Sequence, residues 1–253
     1  MPLTLTAVPG LPLFQPGDDL GAIILAALAD AAMPLAEGDV LVLAQKIVSK
    51  AEDRFVDLAT ITPSAAAVEL AASVGKDPRF VEVILAESRA VIRARPGVLI
   101  VEHRAGTIMA NAGIDSSNVA PADGVERVLL LPLDCDASAA ALRAQILAQT
   151  GRSVGVIIND SFGRAWRQGT VGVALGVAGL PALLDMRGQP DLFGRILRVT
   201  ETGFADEIAA AASLLMGQAD EGCPVILVRG LAWSQPASDS RALLRPRALD
   251  LFR

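Results

Sequence analysis

Histidine and cysteine are nearly absent from this sequence. Its 253 residues hold one histidine, His103, and two cysteines, Cys135 and Cys223. Structural zinc clusters draw on Cys and His, so they are excluded by number. Any metal must rest mainly on oxygen ligands. The cysteines form no C-x-x-C pair and read as reduced thiols of a cytosolic protein. A Ser-His-Asp triad would have to use His103, and no G-x-S-x-G elbow accompanies it. Nucleotide loops of the common kinds are missing too. Gly169, Gly172, Gly176 and Gly179 fit neither G-x-G-x-x-G nor a Walker A loop. Small residues at such spacings more often permit close backbone packing.

The opening "MPLTLTAVPGLPLF" has no basic segment followed by a long apolar one, so it does not read as a signal peptide. "GTVGVALGVAGLPALL", from Gly169, is too short and too rich in Gly for a membrane span. Basic residues are outnumbered, 22 Lys and Arg against 28 Asp and Glu. The net charge of −6 speaks against nonspecific binding to nucleic acid, which depends on neutralising phosphates. A locally basic pocket for an anionic ligand stays open. The expectation is a soluble, cytoplasmic protein with no nucleic-acid or membrane partner.

What the chain has in quantity is apolar matter, 52% of its residues, enough for a substantial core. "LTLTAVPGLPLF" reads as a strand that breaks into a tight loop at Pro9-Gly10. "DDLGAIILAALADAA" reads as a helix capped by Asp18 or Asp19. "GDVLVLAQKIVSKAE" begins as a buried strand and turns polar at Gln45 and Lys46. "SAAAVELAASVG" and "PRFVEVILAESRAVIRA" read as helices, the second with Glu82, Glu87, Arg89 and Arg93 on its polar side. "VLIVEH" and "VERVLLLPL" are strands, with a strand or turn at "GTIMANAGID" between them. "DASAAALRAQILAQTG" is a helix capped by an Asp or Ser and closed by Gly151. "SVGVIIND" is a strand that ends in polar residues, "ADEIAAAASLLMGQADEG" a long helix, and "PVILVRGL" a last strand. Helices and strands alternate too irregularly for a doubly wound sheet, so a mixed α+β architecture is expected. No linker divides residues 1–253. The Asp134–Asp136 region is the candidate boundary between two lobes.

Polar groups gather at four places where apolar segments end. Gln45, Lys46 and Lys50 form the first. A helix would put the two lysines, four apart, on one face, where they suit a polyphosphate or simply water. "NAGIDSSN", from Asn111 to Asn118, places Asp115 in a loop of small residues, and a plain turn would use the same residues. Asn159, Asp160 and Ser161 offer amide, carboxylate and hydroxyl oxygens to a hard cation such as Mg²⁺ or Mn²⁺, or cap the following segment. Arg164 and Arg167 lie just beyond. "MGQADEG", from Met216 to Gly222, offers the Gln218 oxygen, while Asp220 and Glu221 also suit a helix end in solvent. Together these are what a nucleotide-using enzyme without a P-loop needs.

"AQKIVSKAE", "ESRAVIRARPGVLIVEHRAGTIMANAGIDSSNV", "VIINDSFGRAWRQGTVGVALGVAGL" and "AAAASLLMGQADEGCPVILVRG" together resemble the coenzyme F420:L-glutamate ligase family. The likeness runs from "VPGLPLF" to "LVRG". It implies a mixed α/β fold particular to that family, with mixed sheets and flanking helices, and a homodimer. It implies GTP-dependent addition of L-glutamate to F420-0, and of further γ-linked glutamates, through an acyl phosphate. The implied cofactors are Mg²⁺ or Mn²⁺, as two divalent ions, with a monovalent cation such as K⁺.

Carried over by motif, Asp115 and Asp160 match metal ligands, and Ser161 and Gln218 match ligands of a second metal. Gly10, Leu11, Pro12, Leu13, Gln45, Lys46, Lys50 and Asn118 match GTP-contacting positions, as do Met216, Gly217, Gln218, Ala219, Asp220, Glu221, Gly222 and Cys223. Asp115, Asp160 and Lys50 are the expected catalytic residues. At Gln45-Lys46 the chain departs from the small hydroxyl residues common in the family, which leaves Lys50 intact. The C-terminal flavin-binding domain of some members is not expected here. Three other readings stand beside this one: a ligase for a different acceptor, a nucleotide-binding regulatory module, and a metal-dependent phosphohydrolase.

Overall fold

Val40, Leu41, Val42 and Leu43 are all fully buried, which requires apolar layers on both faces of the strand they form. The computed structural model describes residues 2–116 and 125–250. In it this strand is β2 (Val40–Ala44), at the centre of a five-stranded sheet. Its neighbours are β12 (Val225–Arg229), antiparallel, and β8 (Gly155–Arg164), parallel. β1 (Thr4–Ala7) flanks β12, and β9 (Arg167–Ala178) flanks β8, both antiparallel.

Alternate residues of these strands face two cores. Leu41, Leu43, Val156, Ile158 and Leu227 meet α1 (Leu20–Asp30) and α5 (Cys135–Thr150) through Ile24, Leu28, Leu142 and Ile146. Val40, Val42, Ile157 and Ile226 meet α6 (Phe204–Met216) through Phe204, Ile208, Ala209 and Ala212. Each fully buried Val, Leu or Ile contributes roughly 1.5–3 kcal/mol, and the strand period of two delivers them to both sides. Asp19 caps α1 by accepting from Ala22 N at 3.0 Å. Asp134 caps α5 by accepting from Ala137 N at 3.0 Å, and Gly151 closes it in the left-handed region.

A third core gathers residues between Val56 and Leu130. Here β3 (Phe55–Asp57) pairs with β7 (Arg127–Leu129), and β4 (Ser88–Arg95), β5 (Val98–His103) and β6 (Ile108–Ala110) form a three-stranded sheet. α3 (Ala65–Val74) and α4 (Pro78–Ala86) cover it. α2 (Gln45–Ala51) leads from β2 toward this lobe, and β10 (Leu184–Asp185) pairs with β11 (Glu201–Thr202) in a small hairpin-like sheet.

Three expectations from the sequence need correction. The segment expected as one helix through Ala94 is a helix only to Ala86. Ser88 Oγ binds Ile84 O at 2.6 Å, and the chain becomes β4, which turns at Pro96-Gly97 to pair with β5. β-Branched Val91 and Ile92 favour that strand. The expected Asp cap of α5 is Asp134, while Asp136 accepts from Val177 N and Ser240 N. α6 ends at Met216, where Gly217 takes a positive φ of 73°. β8 does not stop at Asp160 but runs on to Arg164, since β9 returns alongside it.

Candidate active site

Across the central sheet one row of partners runs from Ala7–Ile226 through Ile226–Val42 to Val42–Ile157. Just beyond it the chain turns polar after β2 and along β8, and the segments flanking β1 and β12 lie at the same end. Gly10–Leu13 follows β1, α2 begins directly after β2, Asp160 and Ser161 continue β8, and Met216–Cys223 leads into β12. Asp115 comes from the other lobe, where its backbone exchanges two hydrogen bonds with Leu129, 2.8 and 3.0 Å long. Apolar residues fill the sheet where helices cover it, so the first polar residues fall together where that cover ends.

Asp115 is tightly held. Its Oδ2 accepts from Gln45 Nε2 at 3.1 Å and lies 3.4 Å from Lys46 Nζ. Gln45 is 1% exposed, and its Oε1 accepts from Ser49 Oγ at 2.8 Å. The Gln45 amide is therefore engaged on both ends and orients Asp115. Burial raises the Asp115 pKa against the pull of Lys46. Asp160 is pushed up to about 7, first by burial and then by the negative charge of Asp115. The Ser161 N–H, 2.8 Å from Asp160 Oδ1, opposes that rise. Burial and the charge of Lys46 lower the Lys50 pKa. Two neighbouring carboxylates, with the charge of Asp115 opposing ionisation of Asp160, suit a hard divalent cation. Among the described residues no three His, Cys, Asp or Glu side chains gather as a metal cluster. The available donor set is two carboxylates, one hydroxyl and one amide.

Successive side chains of β8 leave on opposite sides. Asp160 turns toward Asp115. Ser161 turns toward the end of α6, and its Oγ donates to Gln218 Oε1 at 2.6 Å. On the same side Asn159 Nδ2 donates to Ser213 Oγ at 3.3 Å and lies 3.3 Å from Met216 Sδ. In the loop after α6, Ala219 N donates to Glu221 Oε2 at 2.8 Å, which holds that carboxyl below its usual range. The backbone here already presents an N–H to an anion. Cys135 is no nucleophile: burial and the nearby Asp136 push its thiol up to about 12.

Residues 10–230 match the model of the F420-0:Gamma-glutamyl ligase family. The coenzyme F420:L-glutamate ligase of Methanothermobacter thermautotrophicus is 47% identical over 255 residues, spanning 100% of both chains. The enzyme of that description from Methanocaldococcus jannaschii is 41% identical, over 96% of this chain and 94% of its own. That from Methanopyrus kandleri is 46% identical, over 94% and 93%. The chain belongs to the F420-0:Gamma-glutamyl ligase family.

In this F420-0:gamma-glutamyl ligase family member the structure brings together Gln45, Lys46 and Asp115, and separately Ser161 and Gln218. Gly10, Pro12 and Leu13 are exposed in the segment after β1, Leu13 at 87%. Asn118 lies outside the described residues. Ser49 and Ser213 escaped the sequence reading. Ser49 carried a signal, since it stands four residues after Gln45 on a helix. Ser213 carried none, because its role depends on how α6 docks on β8. No helix among the described residues is long and apolar enough to cross a membrane.

Proposed function

We propose that this acid–amino-acid ligase joins L-glutamate to coenzyme F420-0 with GTP as co-substrate, and that further γ-linked glutamates can follow. Near-full-length identity to ligases of that description carries the reading. The convergence of the Gly10–Leu13, Gln45–Lys50, Asp160–Ser161 and Met216–Cys223 segments at one end of the sheet supports it.

A carboxylate resists attack by an amine because its leaving group would be an oxide. Phosphorylation by GTP makes a good leaving group, and the glutamate amine then displaces it. Such transfer asks the protein for position and charge cancellation rather than covalent help. Lys46 and Lys50, on one face of α2, would hold phosphate oxygens, and Gly10–Leu13, Asn118 and Met216–Cys223 would enclose the nucleotide. Asp115 and Asp160 would hold a Mg²⁺ or Mn²⁺ ion, and Ser161 with Gln218 a second. Bound there, divalent ions would cancel charge on the phosphates. A monovalent cation and a homodimer belong to the same reading, as does one domain over residues 1–253 in a cytoplasmic enzyme.

The test is mass spectrometry of purified protein with F420-0, L-glutamate, GTP and Mn²⁺. A product heavier by one or more glutamyl units, with GDP in proportion, is expected. GDP without a conjugate would replace this reading by a different acceptor or by hydrolysis. GTP binding without turnover would replace it by a regulatory module.

A further inference from the structure

We infer that Asn159 is a positioning residue, which ties β8 to the last turn of α6 and so sets the distance between Ser161 and Gln218. The inference rests on the metal-binding reading of those two residues. Asn159 and Ser161 occupy the same side of β8, two residues apart, and each reaches one end of α6. Asn159 reaches Ser213 and Met216 inside its last turn, and Ser161 reaches Gln218 just past it. They form two consecutive rungs between one strand and one helix end.

The orientation of the Asn159 amide follows from its neighbours. Ser213 Oγ donates its own proton to Ala209 O at 3.0 Å, so toward Asn159 it can only accept. Asn159 must therefore present its N–H, and its Oδ1 is left buried with no partner among the described residues. The side chain is 4% exposed. A buried acceptor without a partner is a standing cost to folding. An apolar side chain would avoid it, so the amide is not there for stability. Its use is the bond it donates.

Gly172 makes the approach possible. From β9 it pairs with Ser161 on β8, and a Cβ there would overlap Ser213 Oγ and lie 2.7 Å from Asn159 Oδ1. With no side chain at Gly172, α6 settles against β9 close enough for the Asn159 rung to form. The left-handed Gly217 then releases the chain, and Gln218 falls opposite Ser161.

The test measures Mn²⁺ binding directly, from the electron paramagnetic resonance of the free ion, together with thermal melting. Asn159→Leu removes both the donated bond and the unpartnered oxygen, and Ser213→Ala removes the acceptor. Both are expected to weaken Mn²⁺ binding by about tenfold or more, as loss of supporting contacts around metal ligands does. Asn159→Leu should melt no lower than the wild type. The double variant should bind no worse than Asn159→Leu alone, because that change already removes the contact that Ser213→Ala cuts. Gln218→Ala is the control. If it weakens Mn²⁺ binding while Asn159→Leu and Ser213→Ala leave it unchanged, the tether is refuted and the metal reading stands. If Gln218→Ala also leaves binding unchanged, the metal reading of this pair fails and takes the tether with it. Should Asn159→Leu not fold, Ser213→Ala decides, since Ala keeps the helix intact.

Discussion

Ser161 Oγ lies 2.6 Å from Gln218 Oε1, although 57 positions separate them in the chain. The hydroxyl and the amide oxygen thus occupy one spot between β8 and the loop after α6. Gln218→Leu keeps the size of the side chain and removes that oxygen. Turnover at saturating Mn²⁺ should fall by roughly tenfold to a hundredfold, the loss of about 1.4–3 kcal/mol. Steady-state assay of GDP release against Mn²⁺ concentration checks it, and an unchanged metal dependence would remove Gln218 from the site.

Burial and the charge of Asp115 together hinder ionisation of Asp160. Asp160→Asn removes one charge and keeps the shape. Metal-dependent turnover should be lost, while the metal-free protein should melt higher than wild type. A variant that is both active and less stable contradicts the assignment.

Lys50 sits near Lys46 with its ammonium partly desolvated, an arrangement that welcomes an anion. Lys50→Ala should raise the KM for GTP or lower kcat by about tenfold or more, in line with a lost charge-assisted contact. Lys50→Arg should retain part of the activity. If initial rates over a range of GTP show neither parameter moving, Lys50 does not touch phosphate.

Glu87 faces the His103 imidazole at 3.8 Å and the Arg54 guanidinium at 3.4 Å, and these hold its carboxyl below the usual value. A depressed acid gives stability that is present above its unfolded pKa of about 4.3 and is lost as pH falls through the lower folded value. Glu87→Gln forgoes that stability near neutrality and should lose less on acidification. Melting temperatures of the two proteins from about pH 6 to about pH 3 should converge. Parallel curves would mean that Glu87 adds nothing there.

Local signals foretold the elements whose causes are local. Asp19 and Gly151 mark helix ends by side-chain chemistry and left-handed freedom, and both do so here. Val40–Leu43 announced a buried strand by composition alone. The failures lie where a distant partner decides. Ser88–Arg95 has helical spacing of its charges, yet Val98–His103 draws it into a sheet. Asp160 looked like a strand end because its neighbours turn polar, but β9 carries the ladder four residues further. In the site, the polar residues were visible one by one. Their division between two sides of β8 was not, since it depends on strand pairing and on α6.

The sheet order has a consequence for synthesis. Thr4–Ala7 pairs with Ile226–Arg229, and this last strand also separates it from Val40–Ala44. A chain growing from its N-terminus holds its first strand without a ladder neighbour until nearly all of the sheet has left the ribosome. The lobe built around Val56 to Leu130 has no such wait and can settle early. The loop carrying Gln218 emerges just ahead of that last strand, so the proposed site is completed together with the long-range pairing of the first strand with the last. A nascent chain halted before Val225 would own both carboxylates and both lysines, and would still have no finished sheet to set them on.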